Sequence, residues 1–452
     1  MSSVGMKTKS DRRERRASGA LVLVSVGLAA CAQAQDEAPA GASAAPPFVG
    51  PPPAPAPAQP VGPPPAPVAA GGEVTPPATL DVPLPGPLEP EPEAPLTPEE
   101  RAELDALDGL VPASDWNLPV GAGVSEITVA RAYLDWRARF VKSCDDGAVY
   151  VMKNDYTGNE EVASEGIAYG MLLSIGIGDR ATFDGLASYY RDRRNGNGLM
   201  NWRYATCGGQ TGPGGASDAD LDAAMALALA DSRWGGYAEE AQALVSAIAD
   251  HETQICDGGE IVLKPGDGWG GCNDTVNPSY FSPAYYRRFA LLQPARAEHW
   301  NRLTTDTYEM LRGMQDQVGG LLPDWGFGDG QAGEGDRGQY GYEAVRAPWR
   351  IALDLAWSNG DEPRSILQRM SQTIDAAGGL TALLDSDSFE DKRNSAFLGS
   401  LTLSGAAVSQ QKLDGYLAEW AAYEDVDDVW YYQATLRVLF LMAAGGFFPA
   451  SY

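Results

Sequence analysis

"NEEVASEGIAYGMLL", residues 159–173, gathers three carboxylates and then runs through Ala, Ile, Tyr, Gly, Met and Leu. The run is apolar nearly all round, so a helix built from it must pack on more than one side. It looks like a buried helix. Glu165 stands at its edge. One reading of that residue is a helix cap, favoured by the helix dipole and by Ser164 as N-cap. The other is a proton donor whose pKa is raised by apolar surroundings. Taken alone, the stretch favours the cap.

Helical periodicity continues along the chain in "VARAYLDWRARFV", "DLDAAMALALA", "AEEAQALVSAIADH", "AEHWNRLTTDTYEMLRGM", "RAPWRIALDLAW", "PRSILQRMSQTIDAA", "LDGYLAEWAAYE" and "YYQATLRVLFLMAA". Shorter candidates near 182–194, 282–292 and 394–408 bring the total to about a dozen helices, and strand-like alternation is scarce. The connecting loops are long and rich in Gly, Asp, Asn and Trp, as in "RRNGNGLMNWRYATCGGQTGPGGASD", "KPGDGWGGCNDTVNPSYF" and "LLPDWGFGDGQAGEGDRGQYGY". A helical scaffold with such loops is expected to carry its function on one loop-bearing face.

Upstream of the helices the chain changes character. Residues 1–30 read as an export segment, with basic "KTKSDRRERR" before the short apolar run "ALVLVSVGLAA", which is too short for a stable membrane span. "LAAC" resembles the lipobox of bacterial lipoproteins, which implies lipidation of Cys31 and an outer-membrane-anchored protein, periplasmic or at the cell surface. An ordinary cleaved signal peptide would instead make it secreted. Residues 31–110 are expected to be a Pro/Ala-rich disordered linker, because "GPPPAPAPAQPVGPPPAPVAA" has too little apolar surface to offset ordering. Residues 111–452 are long enough for one large domain.

The formal charge of −28 makes nucleic acid an unsuitable partner and suits a neutral or cationic ligand. A membrane is expected to be met only through the lipid anchor, and a monomer is expected. Besides Cys31 the chain has Cys144, Cys207, Cys256 and Cys272, an even number in a chain that looks exported, so disulfides are expected and their pairing is left open. With no Cys-x-x-Cys pair and only His251 and His299, neither a metal centre nor a Ser-His-Asp or Cys-His centre is expected, and no cofactor is called for. Acid–base chemistry falls to carboxylates.

The loops hold what a polysaccharide site requires: aromatic faces to stack on sugar rings, beside acids able to protonate a glycosidic oxygen and activate water. The aromatic candidates are Trp202, Trp269, Tyr280, Trp325, Tyr342, Tyr431 and Tyr432. The acids lie at Glu165, at Asp218, Asp220 and Asp222 in "ASDADLD", and at Glu343 in "YGYEAVRAPWR". Each has a plainer reading: Asp218 as an N-cap, and Glu343 as the i,i+3 salt-bridge partner of Arg346.

Taken together these stretches resemble glycoside hydrolase family 8. "ASDADLDAAMALALADSRW", residues 216–234, is similar to the family signature, departing only at Ala223 and Ala228. "SEGIAYGMLL", "GLMNWRY", "NPSYFSPAYYRRF", "YGYEAVRAPWR" and "YYQATLRVLFLMAAGGFFP" follow in the family's order. The resemblance spans about 115–450. It implies an all-α (α/α)6 barrel and inverting hydrolysis of a β-1,4-linked polysaccharide, with a β-1,4-glucan first and chitosan or xylan as alternatives. It implies Glu165 as general acid, Asp218 as the carboxylate holding the sugar, Tyr280 near the attacking water, and Arg346 as the arginine that follows the base. Trp202 matches a stacking platform, and Trp269, Tyr342, Tyr431, Tyr432 and Asp220 are grouped with it as substrate-binding, Asp220 leaning to a structural role.

One departure matters: many members have Asp as base where this chain has Glu343. The extra methylene displaces the oxygens by roughly 1 Å, a shift that can cost about a hundredfold. Glu334 in "GQAGEGDRGQ" is the alternative base, in imitation of the family's chitosanase branch. A glycan-binding or polymer-export accessory protein with weak or lost catalysis is the reading from another functional class.

Overall fold

In the computed structural model, which describes residues 95–448 apart from 111–112, 114, 155–159, 387–388, 390–391, 393 and 424–428, fourteen α-helices follow one another. They are α1 (Pro98–Asp105), α2 (Glu126–Phe140), α3 (Ser164–Ile177), α4 (Arg180–Asp192), α5 (Ser217–Trp234), α6 (Ala238–His251), α7 (Pro283–Leu292), α8 (Ala297–Gln317), α9 (Ala347–Ser358), α10 (Asp361–Ala377), α11 (Leu380–Leu384), α12 (Ser395–Gly405), α13 (Gln410–Ala422) and α14 (Tyr431–Ala444). The lipidation call at Cys31, the export segment and most of the linker lie outside the described residues.

Burial sorts twelve of the helices into two rings. Every residue of α3 is buried except Glu165, and all of α12 is buried. In α9 only Ser358 escapes. By contrast α4, α6, α10 and α13 each bury a single stripe. The inner ring is α3, α5, α7, α9, α12 and α14; the outer ring is α2, α4, α6, α8, α10 and α13. Each inner helix packs on an outer one, as α3 on α4 and α7 on α8, and α14 packs back on α3 and on α2. This is an (α/α)6 barrel. It follows from two kinds of helix in one chain: those apolar all round need cover on both sides, and the amphipathic ones supply it.

The step from inner to outer helix is visible at α3–α4. Gly178 ends α3 with φ 83°, a left-handed conformation that favours glycine. Asp179 then caps α4 by accepting from the Thr182 amide at 3.0 Å, and also accepts from Tyr133 and Arg137 of α2 at 2.9 and 2.8 Å. Strands among the described residues are two to four residues long. The largest sheet is antiparallel and runs Lys153–Asn154, Glu160–Ala163, Arg203–Ala205, Gln210–Gly212.

Two expectations need correction. The sequence extends the linker to residue 110, yet α1 occupies Pro98–Asp105 with a Thr97–Glu100 capping box and two ion pairs to α2, Arg131–Glu100 at 3.0 Å and Arg137–Glu103 at 2.6 Å. Acidic, Pro-poor "TPEERAELD" has helix chemistry that composition counted over the longer segment hides. Ser164 is not the N-cap of α3. The helix starts at Ser164, and Ala163 precedes it without a side-chain cap, because residues 160–163 are engaged as a strand and Ser164 N donates instead to the Trp202 carbonyl at 3.0 Å.

Candidate active site

The N-terminal ends of the inner helices meet at one mouth. Glu165 is the second residue of α3 and Asp218 the second of α5. Arg346 ends a short 3-10 turn that leads into α9. Tyr280 precedes α7, Asn394 precedes α12, and Tyr431 and Tyr432 begin α14. Positions far apart in sequence therefore share a space of side-chain dimensions.

Arg346 is the hub. Its Nη1 donates to Asp218 Oδ2 at 2.7 Å and to Glu165 Oε2 at 3.2 Å, and its Nη2 donates to Glu343 Oε2. Its guanidinium lies 5.0 Å from the centre of the Tyr280 ring. Arg346 and Asp218 are almost fully buried, whereas the side chains of Glu165 and Glu343 keep 20% and 33% exposure. Of the three carboxylates on Arg346, Glu165 and Glu343 are the more exposed.

Burial pushes the Glu165 carboxyl up to about 7, against the opposing pull of Arg346 and with help from Asp218. Desolvation outweighs the guanidinium here. Burial also raises Tyr280 well above the usual phenol range, reinforced by Asp218 and Glu343, so its hydroxyl stays protonated at neutral pH.

Glu343 is held from two directions missed in the sequence. Asn277 Nδ2 donates to its Oε2 at 2.8 Å. Asp324 Oδ1 accepts from the amides of Gly341, Glu343 and Ala344 at 2.8, 3.1 and 2.8 Å, which pins the turn carrying the carboxylate. Both residues lie in stretches already notable for their aromatic content, but nothing local marks them as supports. Glu334 is exposed at the start of the turn Gly335–Gly338, and among the described residues no hydrogen bond or ion pair joins it to the Arg346 cluster.

Aromatic rings flank the carboxylates. Trp269, Trp325 and Tyr280 form a chain with centroid spacings of 5.7 and 6.4 Å. Tyr342 and Tyr432 lie 6.3 Å apart, the Tyr432 hydroxyl donating to the Tyr342 carbonyl at 2.6 Å. Trp202, Trp269 and Tyr342 are exposed. Cys144–Cys207 ties the turn between strands Val141–Ser143 and Val149–Val151 to the hairpin that follows Trp202, and Cys256–Cys272 closes the loop containing Trp269.

Two residues grouped as substrate-binding are buried. Asp220 is fully buried and accepts from the Tyr190 hydroxyl and, at 3.2 Å, from the Met200 amide. One turn of helix spacing would be needed to bring it level with Asp218; two residues rotate it to another face. Tyr431 is 1% exposed and lies behind Gly166, whose Cβ, if present, would stand 2.9 Å from its hydroxyl. Asp222 likewise turns inward and pairs with Arg350 through two 2.8 Å contacts.

The profile of Glycosyl hydrolases family 8 matches residues 122–446. Endoglucanase A of Acetivibrio thermocellus is 33% identical over 348 residues, covering 72% of this chain and 71% of that protein. Endoglucanase 2 of Ruminiclostridium josui is 31% identical over 331 residues, covering 70% of each. Among solved structures, a β-1,3-1,4-glucanase from Paenibacillus sp. X4 superposes with a TM-score of 0.63 at 22% identity, over 77% of this chain and 99% of that one.

Proposed function

The chain belongs to glycosyl hydrolases family 8, and on that premise we propose that it is an inverting endo-β-1,4-glucanase with Glu165 as general acid and Glu343 as general base. The observation that carries the reading is the convergence of Glu165, Asp218 and Glu343, from three distant segments, on the single guanidinium of Arg346. Glu165 donates its proton to the glycosidic oxygen of the leaving sugar. Glu343, facing the sugar from the other side, takes a proton from the water that attacks the anomeric carbon. Inversion requires room for that water, and carboxyl separations of about 6.5–9.5 Å accompany it. Asp218 hydrogen-bonds the sugar at the cleavage point, Tyr280 orients the water, and Arg346 holds the three carboxylates in register. Trp202, Trp269, Tyr342 and Tyr432 offer ring faces to sugars on either side.

The reading is tested by release of reducing ends from carboxymethylcellulose, mixed-linkage glucan, xylan and chitosan, with NMR of the first product. A glucanase gives fastest cleavage of a glucan and an initial α-anomer. Binding without cleavage of any polymer, unchanged in Glu165→Gln, would leave the accessory-protein reading instead. Chitosan is in the panel because the formal charge of −28 suits a cationic polymer.

The same proposal places the domain outside the cytoplasm on a lipid anchor at Cys31, supported by the lipobox-like "LAAC" and the Pro-rich stretch after it. Labelling with a fatty-acid analogue, lost in Cys31→Ser, tests it; a secreted, unlabelled protein overturns it.

A further inference from the structure

Beneath Asp218 lies a pair of carboxylates that the hydrolysis does not use. Glu252, the residue after α6, is fully buried, as is Asp220. Among the described residues neither Glu252 Oε1 and Oε2 nor Asp220 Oδ2 has an ordinary hydrogen-bond donor. Asp220 Oδ2 and Glu252 Oε1 lie 2.8 and 3.0 Å from the point where a Cβ on Gly215 would stand, and the two carboxyls are within hydrogen-bonding reach of one another beside that glycine. Two ionised carboxylates cannot be held so close in a dry interior.

The groups facing the pair give no compensating cation. Tyr190 donates to Asp220, and Asp218 and Asp267 are acidic neighbours. Tyr286 borders Glu252 as a neutral phenol. Arg194 lies over the Tyr190 ring and is paired with Glu240 at 2.8 Å. Lys264 Nζ is taken by the carbonyls of His251 and Asp267 at 2.9 and 2.7 Å.

We propose that Asp220 and Glu252 share one proton, and that Glu252 is thereby a positioning residue whose loss of that proton at alkaline pH opens the corner seating Asp218 and Trp202. Gly215 is the keystone of that corner. Its amide donates to Asp267 Oδ1 at 3.0 Å, and Asp267 Oδ2 in turn accepts from Asn195 and Asn197 at 2.9 Å each. Next to it Trp202 N donates to the Gly214 carbonyl at 2.8 Å, and Ser217 N donates to the Pro265 carbonyl at 3.1 Å. When the proton leaves, the second negative charge forces the carboxylates apart across Gly215, and the strands of this corner are carried with them. Burial, with the charge of the partner carboxylate, raises Glu252 well above the usual range, and burial raises Asp220 to about 7, consistent with a proton retained between them at neutral pH.

A carboxyl raised in the folded state stabilises the fold while protonated there, and the contribution falls as pH rises from about 4, the unfolded value, through the raised one. Glu252→Gln, which supplies a permanent N–H donor, should flatten the decline of Tm between pH 5 and 9. It should also lengthen survival at pH 9 several-fold, read as residual activity after return to pH 6, where Glu165 is protonated in both proteins. A decline of Tm and a survival time equal to the parent's would overturn the proposal. If Glu252→Gln does not fold, infrared spectra of Glu165→Gln at pH 7 decide: a protonated-carboxyl band that vanishes by pH 9 is expected, and its absence at pH 7 overturns the shared proton. The inference leans on the role given to Asp218, but Tm and infrared need no substrate. Failure of the glucanase reading is therefore distinguishable from failure of this one.

Discussion

Arg346 Nη1 stands 2.7 Å from Asp218 Oδ2, a charge pair buried on both sides in the middle of the cleft. Removing one member of such a pair leaves an uncompensated charge, which costs about 3–5 kcal/mol. Arg346→Met is therefore expected to lower Tm strongly and abolish glucan cleavage. Arg346→Lys, which keeps the charge but cannot reach three carboxylates in one plane, should fold and lose about a hundredfold in kcat. Thermal melts and steady-state kinetics on the two variants separate the structural from the positioning share.

Glu165 is the proposed acid, so it must be protonated to act. With its carboxyl held at about 7, kcat/KM should fall as pH rises through that value. Glu165→Gln should lose about 100- to 10,000-fold on polymer. On a substrate with a leaving group that needs no protonation it should lose far less, and the alkaline fall should disappear. A pH profile on both substrates checks this.

Glu343 is the residue in doubt by sequence because of its extra methylene. Glu343→Gln should lose most turnover while retaining substrate binding, and unchanged turnover would move the role to Glu334 or elsewhere. Asn277→Ala removes one neutral donor and should cost kcat less than Glu343→Gln. Asp324→Ala frees three backbone amides, so about 1–3 kcal/mol of stability and a lower kcat should be lost together.

Trp269 is 48% exposed against Trp325, and Trp202 is 38% exposed near Glu165. Trp202→Ala and Trp269→Ala should raise KM for long glucan oligomers by about tenfold, equivalent to ~1.4 kcal/mol, with a smaller effect on kcat. Short oligomers that do not reach Trp269 should respond only to Trp202→Ala. Kinetics against oligomer length provide the check.

The disulfides span 63 and 16 residues, worth about 4 and about 3 kcal/mol on the chain-entropy view. Reduction should lower Tm. Because Cys256–Cys272 closes the loop that contains Trp269, Cys256→Ser with Cys272→Ser should also raise KM selectively for long substrates. Equal KM in parent and double variant would show that the loop keeps its shape without the bond.

Local pattern carried the helices. An apolar series such as 166–177 can be satisfied only by burial on all sides, so periodicity showed about a dozen helices, several packed on more than one side, while the two-ring architecture was legible only through the family resemblance of the ordered motifs. The start of the fold was less so, because "TPEERAELD" is short and averaged away by the proline around it. Within the site, Glu165, Asp218, Glu343 and Arg346 were legible because they sit in recognisable segments. Asn277, Asp324 and Glu252 were not, since each acts through a partner 17 or more residues away and leaves no period or spacing in the chain.

By itself the sequence determined which segments are helical, that several of them need cover on more than one side, and which carboxylates and rings are candidates for chemistry, because these depend on residue type and short-range spacing. Only the tertiary structure decided that Asp220 is buried against Tyr190 and Tyr431 beside Gly166, while Asp218 and Glu343 meet on Arg346. Only packing could bring Glu165 to about 7. Direction, distance and desolvation are properties of how helices close into a ring, and one residue's rotation about a helix axis separates a cleft wall from a buried support.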